Sequence, residues 1–169
     1  MVRLSERGSS YKQALQKLTP GEQIIASQLA GDFILPEDTK QKLAFVAGGI
    51  GITPFLSHFS FMAEQNIPRD VTLFYCNNTA TEIAYREKFD ALAGDGYCHA
   101  VHILAEEETA DCEHGFLTAD IIKQHTPDYK ERLWYLSGPS GLVTAYSKLL
   151  KKLGVPTQNI NHDFFPGLV

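Results

Sequence analysis

Short apolar runs alternate with amphipathic stretches along most of this chain. Runs that are apolar at nearly every position predict strands that are covered on both faces of a sheet. Val71–Cys76 is such a run, and five strands are predicted in all, at Leu43–Ala47, Val71–Cys76, Tyr97–Leu104, Leu133–Leu136 and Asn159–His162. The intervening stretches predict helices at Pro54–Gln65, Thr81–Leu92, Thr118–Gln124 and Leu142–Leu153, and a loop at Ala105–Gly115. This alternation predicts an α/β fold, a five-stranded parallel doubly wound sheet with helices on both faces.

The first forty residues do not follow this alternation. A helix is predicted at Ser10–Leu18, and short strand pieces are predicted at Gln23–Ala26 and Phe33–Leu35. One helix and two short strands cannot bury a core of their own. We therefore expect residues 1–40 to be the remnant of a larger, β-rich domain and residues 41–169 to form the α/β domain.

The bulk composition narrows the classes of partner. The chain has 169 residues, 44% of them hydrophobic, and a net charge of −5, which disfavours a nucleic-acid or acidic membrane surface as partner. No stretch is long enough to span a bilayer, and the first residues have no apolar signal core. The three scattered cysteines, Cys76, Cys98 and Cys112, favour reduced thiols and a cytoplasmic location.

A glycine turn follows the first predicted strand. Gly48, Gly49 and Gly51 stand just before Thr53 and Pro54, where the next helical pattern begins. Glycines let the backbone turn tightly and approach a ligand, while Thr53 suits an N-cap and Pro54 suits the first helical position. The helix would then direct its N–H groups and the positive end of its dipole at a phosphate, so a nucleotide pyrophosphate is expected. A tight turn without a ligand is the less favoured alternative.

Two more turns follow predicted strands. Asn77 and Asn78 come after the second strand, and Ser137, Gly138 and Pro139 come after the fourth. Ligands of open α/β sheets bind beyond the carboxyl ends of the strands, which is where both turns fall. From the residues alone, ordinary loop chemistry remains the favoured interpretation of the Asn pair, and a plain turn is as favoured as a ligand wall for the Gly-Pro pair.

The sequence does not favour a metal site. Cys98, His99 and His102 have a suggestive spacing. In a strand, however, Cys98 and His102 share one face while His99 points to the other, so the three side chains diverge.

Five stretches, in order along the chain, resemble the ferredoxin–NADP reductase family, the flavin-dependent NAD(P)H oxidoreductases. The family's GGxGxTP turn matches Gly48–Pro54, and its Cys-Gly-Pro turn is similar to Ser137–Pro139. The start of the helix that holds the flavin pyrophosphate resembles Gly8–Lys12, the ribose region resembles Phe74–Tyr85, and the tail near the flavin resembles Asp163–Gly167. Each match is weak alone, and the five in family order are specific together.

The resemblance implies NAD(P)H and FAD as cofactors and a role for each matched residue. The dinucleotide would contact Gly48, Gly49, Ile50, Gly51, Thr53, Pro54, Asn77, Asn78, Gly138 and Pro139, and the flavin pyrophosphate would contact Ser9 and Ser10. Ser137 would face the nicotinamide ring, while Asp163 and Phe165 would lie near the flavin ring as polar contact and aromatic cover. Such a site needs no protein nucleophile, because the cofactors carry the reaction.

The departures from the family pattern shape the functional prediction. The family's flavin-binding barrel, with its Arg-x-Tyr-Ser signature, is missing here, and Asn78 stands where many relatives have an arginine that favours a 2′-phosphate. The chain is therefore expected to be the NAD(P)H-binding half of an oxidoreductase that passes hydride to FAD and on to an electron acceptor, such as an acceptor protein. The flavin domain would be missing or separate. The alternative is a stand-alone nucleotide-binding or interaction module without redox turnover, which pairs with a separate flavoprotein. In either case the remnant would expose apolar surface and favour self-association.

Overall fold

The computed structural model describes residues 10–25 and 31–165. All six of its strands are parallel, in the spatial order β4-β3-β2-β1-β5-β6. The strands are β1 (Leu43–Gly48), β2 (Val71–Asn77), β3 (His99–Leu104), β4 (Glu113–His114), β5 (Leu133–Pro139) and β6 (Ile160–Phe165). The predicted α/β class is confirmed, and the sheet has six strands where five were predicted.

Helices cover both faces of the sheet. They are α2 (Thr53–Glu64), α3 (Arg86–Gly94), α4 (Ala119–His125) and α5 (Ser140–Lys152), whereas the first helix of the described chain, α1 (Ser10–Lys17), buries no residue. In α2 the buried Phe55, Phe59 and Met62 recur at helical spacing and pack, together with α3, on one face of the sheet. Helices α4 and α5 bury their apolar stripes on the other face. None of the helices described is long and apolar enough to cross a membrane.

Some of the predicted elements are wrong. The helix expected at Thr81–Leu92 begins only at Arg86, because Ala80–Glu82 form a 3-10 turn and Tyr85 has a left-handed backbone with a φ of 58°. The loop expected at Ala105–Gly115 contains β4, where Glu113 pairs with Ile103 of β3. This strand is too short and too polar to leave a pattern in the sequence.

The strand pieces expected in the remnant are not found among the described residues. Phe33–Leu35 forms no strand, because the carbonyl group of Ile34 accepts a hydrogen bond from the hydroxyl group of Tyr135, at 2.6 Å, rather than from a neighbouring strand. Residues 23–25 are likewise irregular, and Ala26 lies outside the described part of the chain. The predicted helix is present as α1.

The segment of residues 31–38 is nevertheless fastened to the sheet domain. The ring of Phe33 packs against Tyr135, with 5.1 Å between centroids, and lies against α2 at Phe55. The buried guanidinium of Arg69 donates hydrogen bonds to the carbonyl groups of Pro36 and Asp38, at 2.9 and 3.1 Å. This segment therefore has a fixed position on the face covered by α2.

The strand order reverses beside β1. Strands β2, β3 and β4 extend from one side of β1, whereas β5 and β6 extend from the other. The carboxyl ends of β1, β2 and β5 consequently meet at Gly48, Asn77 and Pro139. Such a reversal opens a crevice where open α/β sheets bind their ligands.

Candidate functional site

The glycine turn leads from β1 directly into a helix. Gly49–Ile52 form a 3-10 turn that continues into α2 without a break, so the helical segment begins at Gly49. The prediction of Thr53 as an N-cap is wrong, since Thr53 is already helical and its hydroxyl donates to the carbonyl group of Ile50, at 2.8 Å. Pro54 stands in the first turn of α2, as predicted. The first N–H groups of a helical segment lack partners within the helix. The backbone N–H groups of the turn at Gly49 are therefore best placed to bind an anion.

The three glycines of this turn have different reasons to be glycine. A Cβ atom on Gly51 would lie 2.6 Å from the carbonyl carbon of Ser137, and one on Gly48 would lie 3.2 Å from Pro139 and would clash with Leu142. A Cβ atom on Gly49 would meet nothing within 4 Å, although its φ of +51° disfavours other residues. Gly48 and Gly51 thus allow close packing of protein on protein, and Gly49 alone faces open space.

A cavity of about 600 Å³ opens at the reversal of strand order. We call it the switch-point cavity. Its lining comes from the ends of β1, β2 and β5, from the turns that follow β1, β2, β3 and β4, and from α5. It is lined by Gly48, Gly49, Ile50, Cys76, Asn77, Asn78, Glu82, Ala84, Ala105, Gly115, Phe116, Pro139, Leu142 and Tyr146. Its size and its mainly apolar lining, with a few polar groups, are typical of a site for a small organic ligand.

Asn77 is the most informative polar group of this cavity. The residue is only 7% exposed, and neither its side-chain oxygen nor its nitrogen has a hydrogen-bond partner within the described structure. The amide opposes the rise in the pKa of the neighbouring Tyr75 without forming a hydrogen bond to it. Buried amides are normally satisfied, so an unpaired one that lines a cavity indicates a place for a polar ligand group.

Hydrogen bonds fix the wall beyond β2. The backbone N–H of Asn78 donates to the Glu82 carboxylate, at 3.3 Å, and that of Ala84 donates to the hydroxyl group of Tyr75, at 3.2 Å. Burial raises the pKa of Tyr75 to about 12, so this hydroxyl group stays neutral. The wall thus has a defined shape before any ligand enters.

The floor of the cavity is uncharged. Burial raises the pKa of the half-buried Cys76 thiol to about 12 and also raises the pKa of the adjacent Tyr146. The Tyr146 hydroxyl group accepts a hydrogen bond from the backbone N–H of Leu117, at 3.3 Å. Because a thiol attacks as its thiolate, this environment makes Cys76 a poor nucleophile.

Phe116 forms the outer rim. Its side chain is 71% exposed, whereas most aromatic side chains of the domain are buried. It follows Gly115, whose backbone N–H donates to Leu104 at the end of β3, at 2.8 Å. An exposed aromatic ring at the mouth of a cavity offers a flat apolar surface to a ligand.

A second cavity, of about 640 Å³, lies beside β6, and we call it the β6 cavity. The anchored segment and β6 line it, through Gly31, Asp32, Phe33, Ile34, Asn161, His162 and Asp163. Asp163 pairs in register with Ser137 of β5, which in turn pairs with Ala47 of β1. Ser137 therefore lies on β5, between β1 and β6. Strand β1 lies next to the switch-point cavity, and β6 lies next to the β6 cavity.

Ser137 itself is fully buried. It is 0% exposed, and its hydroxyl group has no hydrogen-bond partner within the described structure. It lines neither cavity, as is also true of Gly51, Thr53, Pro54 and Gly138. Ser137 and Gly138 belong to β5, which lies between β1 and β6, and we call this part of β5 the ridge. Gly51, Thr53 and Pro54 lie in the turn after β1 and at the start of α2.

The sequence-predicted site residues thus divide into groups. Those that line the switch-point cavity are Gly48, Gly49, Ile50, Asn77, Asn78 and Pro139. Asp163 lines the β6 cavity. Phe165 is described only by its backbone, which pairs with Pro139. Ser10 begins α1 and lines neither cavity, and Ser9 lies outside the described residues, so their predicted role in flavin binding stays a prediction.

Sequence reasoning missed several lining residues. Leu142 and Tyr146 follow the Ser-Gly-Pro turn by a few positions, so the amphipathic pattern of α5 could have indicated them. Phe116 and Glu82 reach the cavity through turns whose shape no sequence pattern revealed.

Among the described residues, no cluster of three or more His, Cys, Asp and Glu side chains could hold a metal ion. The rings of His99 and His125 lie side by side, with 3.1 Å between nitrogens, while His102 lies near Asp90. The two histidines of the Cys-His-x-x-His stretch therefore diverge.

Comparisons with known proteins agree with this geometry. Residues 45–148 match the family model of the oxidoreductase NAD-binding domain. One component of the Na(+)-translocating NADH-quinone reductase from Yersinia pestis is 29% identical over 168 residues, which cover 94% of this chain and 40% of that protein. The chain thus spans about 40% of the length of the curated relatives it matches.

Solved structures show the same fold. The flavohem-like FAD/NAD-binding domain of nitric oxide dioxygenase from Vibrio cholerae has a TM-score of 0.72 and 25% identity, over 80% of this chain and 55% of that one. The cytochrome b5 reductase domain of Ulva prolifera nitrate reductase has a TM-score of 0.79 and 19% identity, over 92% of this chain and 64% of that one.

The family confirms NAD(P)H and FAD as the cofactors of the oxidoreductase reaction. The share of the flavin site that this chain supplies stays a prediction. The chain belongs to the oxidoreductase NAD-binding domains, and the resemblance to the ferredoxin–NADP reductase family is confirmed.

Proposed function

We propose that this chain is the NAD(P)H-binding half of a flavin-dependent oxidoreductase, in which hydride passes to FAD and electrons pass on to an acceptor. The observation that carries the proposal is the switch-point cavity, which is lined both by the open turn at Gly49 and by Asn77, a residue whose buried amide has no partner within the described structure. The turn suits a pyrophosphate, and the amide suits a polar group such as a ribose hydroxyl. Together they fit a dinucleotide better than they fit a simple anion.

The lining suits one orientation of the dinucleotide along the cavity. Its adenine would lie against the ring of Phe116, and its adenosine ribose near Asn77 and Asn78. Its pyrophosphate would lie on the turn at Gly49 and Ile50. The nicotinamide half would then extend past Pro139 towards the ridge that contains Ser137. The reacting ring would then lie at the boundary between the two cavities.

The β6 cavity supports a flavin site on the far side of that ridge. Asp163 lines it and stands in register with Ser137. When bound, NAD(P)H would supply a hydride, and FAD would accept it. The role of this chain is to hold the dinucleotide in place. Correct orientation of the reactants lowers the activation free energy by roughly 7–11 kcal/mol. The full decrease requires the remaining residues of the flavin site.

Exposed apolar side chains support the proposal that a further domain or a partner protein covers the first segments of the chain. Ile24, Ile25 and Ile34 are 65%, 98% and 68% exposed, all on the first segments of the chain. Exposed apolar surface of this kind indicates a protein–protein contact. It also favours the second candidate, a nucleotide-binding module without turnover of its own that pairs with a separate flavoprotein.

One experiment tests the proposal and separates the two candidates. The purified chain is titrated calorimetrically with NADH, and is then mixed with FAD and NADH without oxygen while the flavin absorbance is followed. Binding with bleaching faster than that of free FAD and NADH supports a chain that contributes to turnover. Binding without acceleration supports the dinucleotide-binding half or module. Absence of nucleotide binding would contradict both.

A further inference from the structure

Three titratable side chains that line neither cavity connect β3, α4 and β4. Nε2 of His125 donates a hydrogen bond to the carboxylate of Glu113, at 2.8 Å, and Nδ1 of His125 lies 3.1 Å from Nε2 of His99. Glu113 is the first residue of β4, His125 is the last residue of α4, and His99 is the first residue of β3. We call these three side chains the β4 network, because they tie the shortest strand of the described sheet to two longer elements.

Strand β4 depends on side-chain contacts because it is a two-residue strand at the edge of the described sheet. Within that sheet its backbone pairs with β3 alone, at Ile103 and Leu104, whereas strands usually have at least about three residues. Glu113 and His125 are both partly buried, so water competes little for the hydrogen bond between them. Gln124 of α4 donates to the same carboxylate oxygen, at 3.5 Å. The network therefore fixes where β4 lies against α4.

The position of β4 in turn sets the position of Phe116 at the rim of the switch-point cavity. Gly115 and Phe116 follow β4 directly, and the N–H of Gly115 donates to the carbonyl group of Leu104, at 2.8 Å. On the other side, the N–H of Leu117 donates to the hydroxyl group of Tyr146 in α5, at 3.3 Å. The exposed ring is thus held through its backbone, between β4 and α5. A shift of β4 would turn the ring relative to the cavity.

We propose that Glu113 and His125 are positioning residues, which hold Phe116 at the adenine end of the switch-point cavity by way of β4. The inference rests on the proposed function, in which the adenine of the dinucleotide lies against this ring. Neither residue touches the ligand in this arrangement. They support a contact residue from behind, and the precision of a binding site depends on such support.

Protonation acts on the same network. Two imidazole nitrogens 3.1 Å apart hold one proton between them, because one nitrogen donates and the other accepts. A second proton on the pair would set two N–H groups against each other and open the contact between His99 and His125. The charged groups that act on the pair are Glu113 from β4 and Arg132 from the residue before β5, which is itself paired with two carboxylates. Burial, with His125 and Arg132 adding to it, lowers the pKa of His99. The second proton therefore binds below pH 6.5, and affinity for the adenosine half of the ligand should fall there.

The first test asks whether Glu113 acts through Phe116. The ligand is ADP-ribose, which carries the adenosine end without the nicotinamide, and its affinity for the purified chain is measured by calorimetry at pH 7.5. Glu113→Ala should weaken binding about fivefold, whereas Glu113→Gln keeps an oxygen that accepts from His125 and should restore most of the affinity. In the Phe116→Ala background, Glu113→Ala should have almost no further effect, because the ring that it positions is gone.

The second test follows the affinity from pH 7.5 to pH 5, a range over which each phosphate of ADP-ribose keeps a single negative charge. The parent chain should lose affinity about threefold as the pH falls. His99→Gln keeps an uncharged partner for His125, so it should bind as the parent does at pH 7.5 and keep that affinity at pH 5. His114→Gln is the matched control, because His114 is an exposed histidine of β4 that contacts the carbonyl group of Glu107 and not the network. It should retain the pH dependence of the parent.

Each outcome supports or overturns the inference. Unchanged affinity in Glu113→Ala, or losses in Glu113→Ala and Phe116→Ala that simply add, would overturn the positioning role. If Glu113→Ala does not fold by circular dichroism, His125→Phe takes its place, since it keeps a ring against Phe74 and loses the donor. An affinity of the parent that does not vary with pH, or the same pH dependence in His99→Gln, would overturn the role of the histidine pair. Binding of neither NADH nor ADP-ribose would overturn the proposed function, and this inference with it.

Discussion

Gly51 lies directly against the backbone of Ser137, so that a methyl group on Gly51 would sit 2.6 Å from the Ser137 carbonyl carbon. The contact joins the turn after β1 to the end of β5, the two strands between which the sheet order reverses. It sets how closely the glycine turn approaches the ridge between the two cavities. Glycine is therefore required here by the packing of backbone on backbone and not by a ligand.

Gly51→Ala and Gly49→Ala should fail in different ways. In Gly51→Ala the new methyl group presses on backbone that cannot move aside, so we expect the free energy of unfolding to fall by about 1–3 kcal/mol. In Gly49→Ala it meets no protein atom, and the left-handed backbone should cost only about 1–2 kcal/mol. Gly49→Ala should nonetheless weaken NADH binding, because its methyl group projects into the cavity. Urea denaturation and calorimetry measure the two effects, and equal losses of stability and affinity in both variants would contradict this division.

The fold could be predicted from the sequence wherever local pattern and tertiary structure agree. The apolar runs of β1, β2 and β5 are long enough to reveal buried strands, and the turns after them fall at the reversal of strand order. Where the pattern is short or polar, as in β4, pairing with β3 makes a strand that no periodicity reveals. The helix expected from Thr81 begins later, because the hydrogen bonds to Glu82 and Glu107 hold a turn in its place.

The candidate site was predictable only in part, for a related reason. Residues at strand ends, such as Asn77 and Pro139, could be placed because the ends of parallel strands share one edge of the sheet. Phe116 reaches the cavity through a turn that depends on β4, so its position follows from tertiary pairing. The different roles of Gly48, Gly49 and Gly51 depend on which atoms lie beside each Cα atom, which sequence alone does not contain.

Asn77→Leu should separate stability from binding. The change removes a buried amide that lacks partners, and such a group costs about 1–3 kcal/mol when it is left unsatisfied. We therefore expect the free energy of unfolding to stay the same or rise, while affinity for NADH falls about tenfold or more. Thermal denaturation and calorimetry on one preparation give both values. A variant that loses stability and keeps its affinity would show that the amide is structural.

His58 should make stability depend on pH. It lies in the aromatic cluster with Phe33 and Tyr135, and burial lowers its pKa to about 4 from an ordinary 6.5. The unfolded chain therefore binds a proton at this residue at a higher pH than the folded chain does. Its contribution to stability is full above pH 6.5 and is lost as the pH falls towards 4, by about 2–3 kcal/mol.

His58→Phe provides the comparison for this effect. Phenylalanine keeps an aromatic ring in the cluster and has no proton to bind. We expect the difference in the free energy of unfolding between parent and variant to change by about 2–3 kcal/mol between pH 7 and pH 4. The comparison uses the difference between the two proteins, so that contributions common to both cancel. A difference that does not vary over this range would contradict the proposed titration.

Phe116→Ala should weaken binding without weakening the fold. The side chain is 71% exposed, so its removal should change the free energy of unfolding by less than about 0.5 kcal/mol. Stacking of a base on an aromatic ring contributes about 1–3 kcal/mol, so affinity for ADP should fall about tenfold. Phe61→Ala is the matched control, because Phe61 is also exposed, at 52%, and lines neither cavity. Equal losses in both variants would exclude a specific place for the adenine at Phe116.

The isolated chain should self-associate through its first segments. Ile24, Ile25 and Ile34 expose 65%, 98% and 68% of their surface, in the region where a flavin domain or a partner flavoprotein is proposed to pack. Without that cover, burial between copies gains about 25 cal/mol for each Å² of apolar surface. Light scattering over a wide range of concentration should therefore show a mass that rises above that of the monomer. Replacing Ile24 and Ile25 with serine should lower it, whereas Phe61→Ser, which changes an exposed apolar residue elsewhere, should not. A monodisperse monomer at all concentrations would contradict the proposal that this surface is an interface.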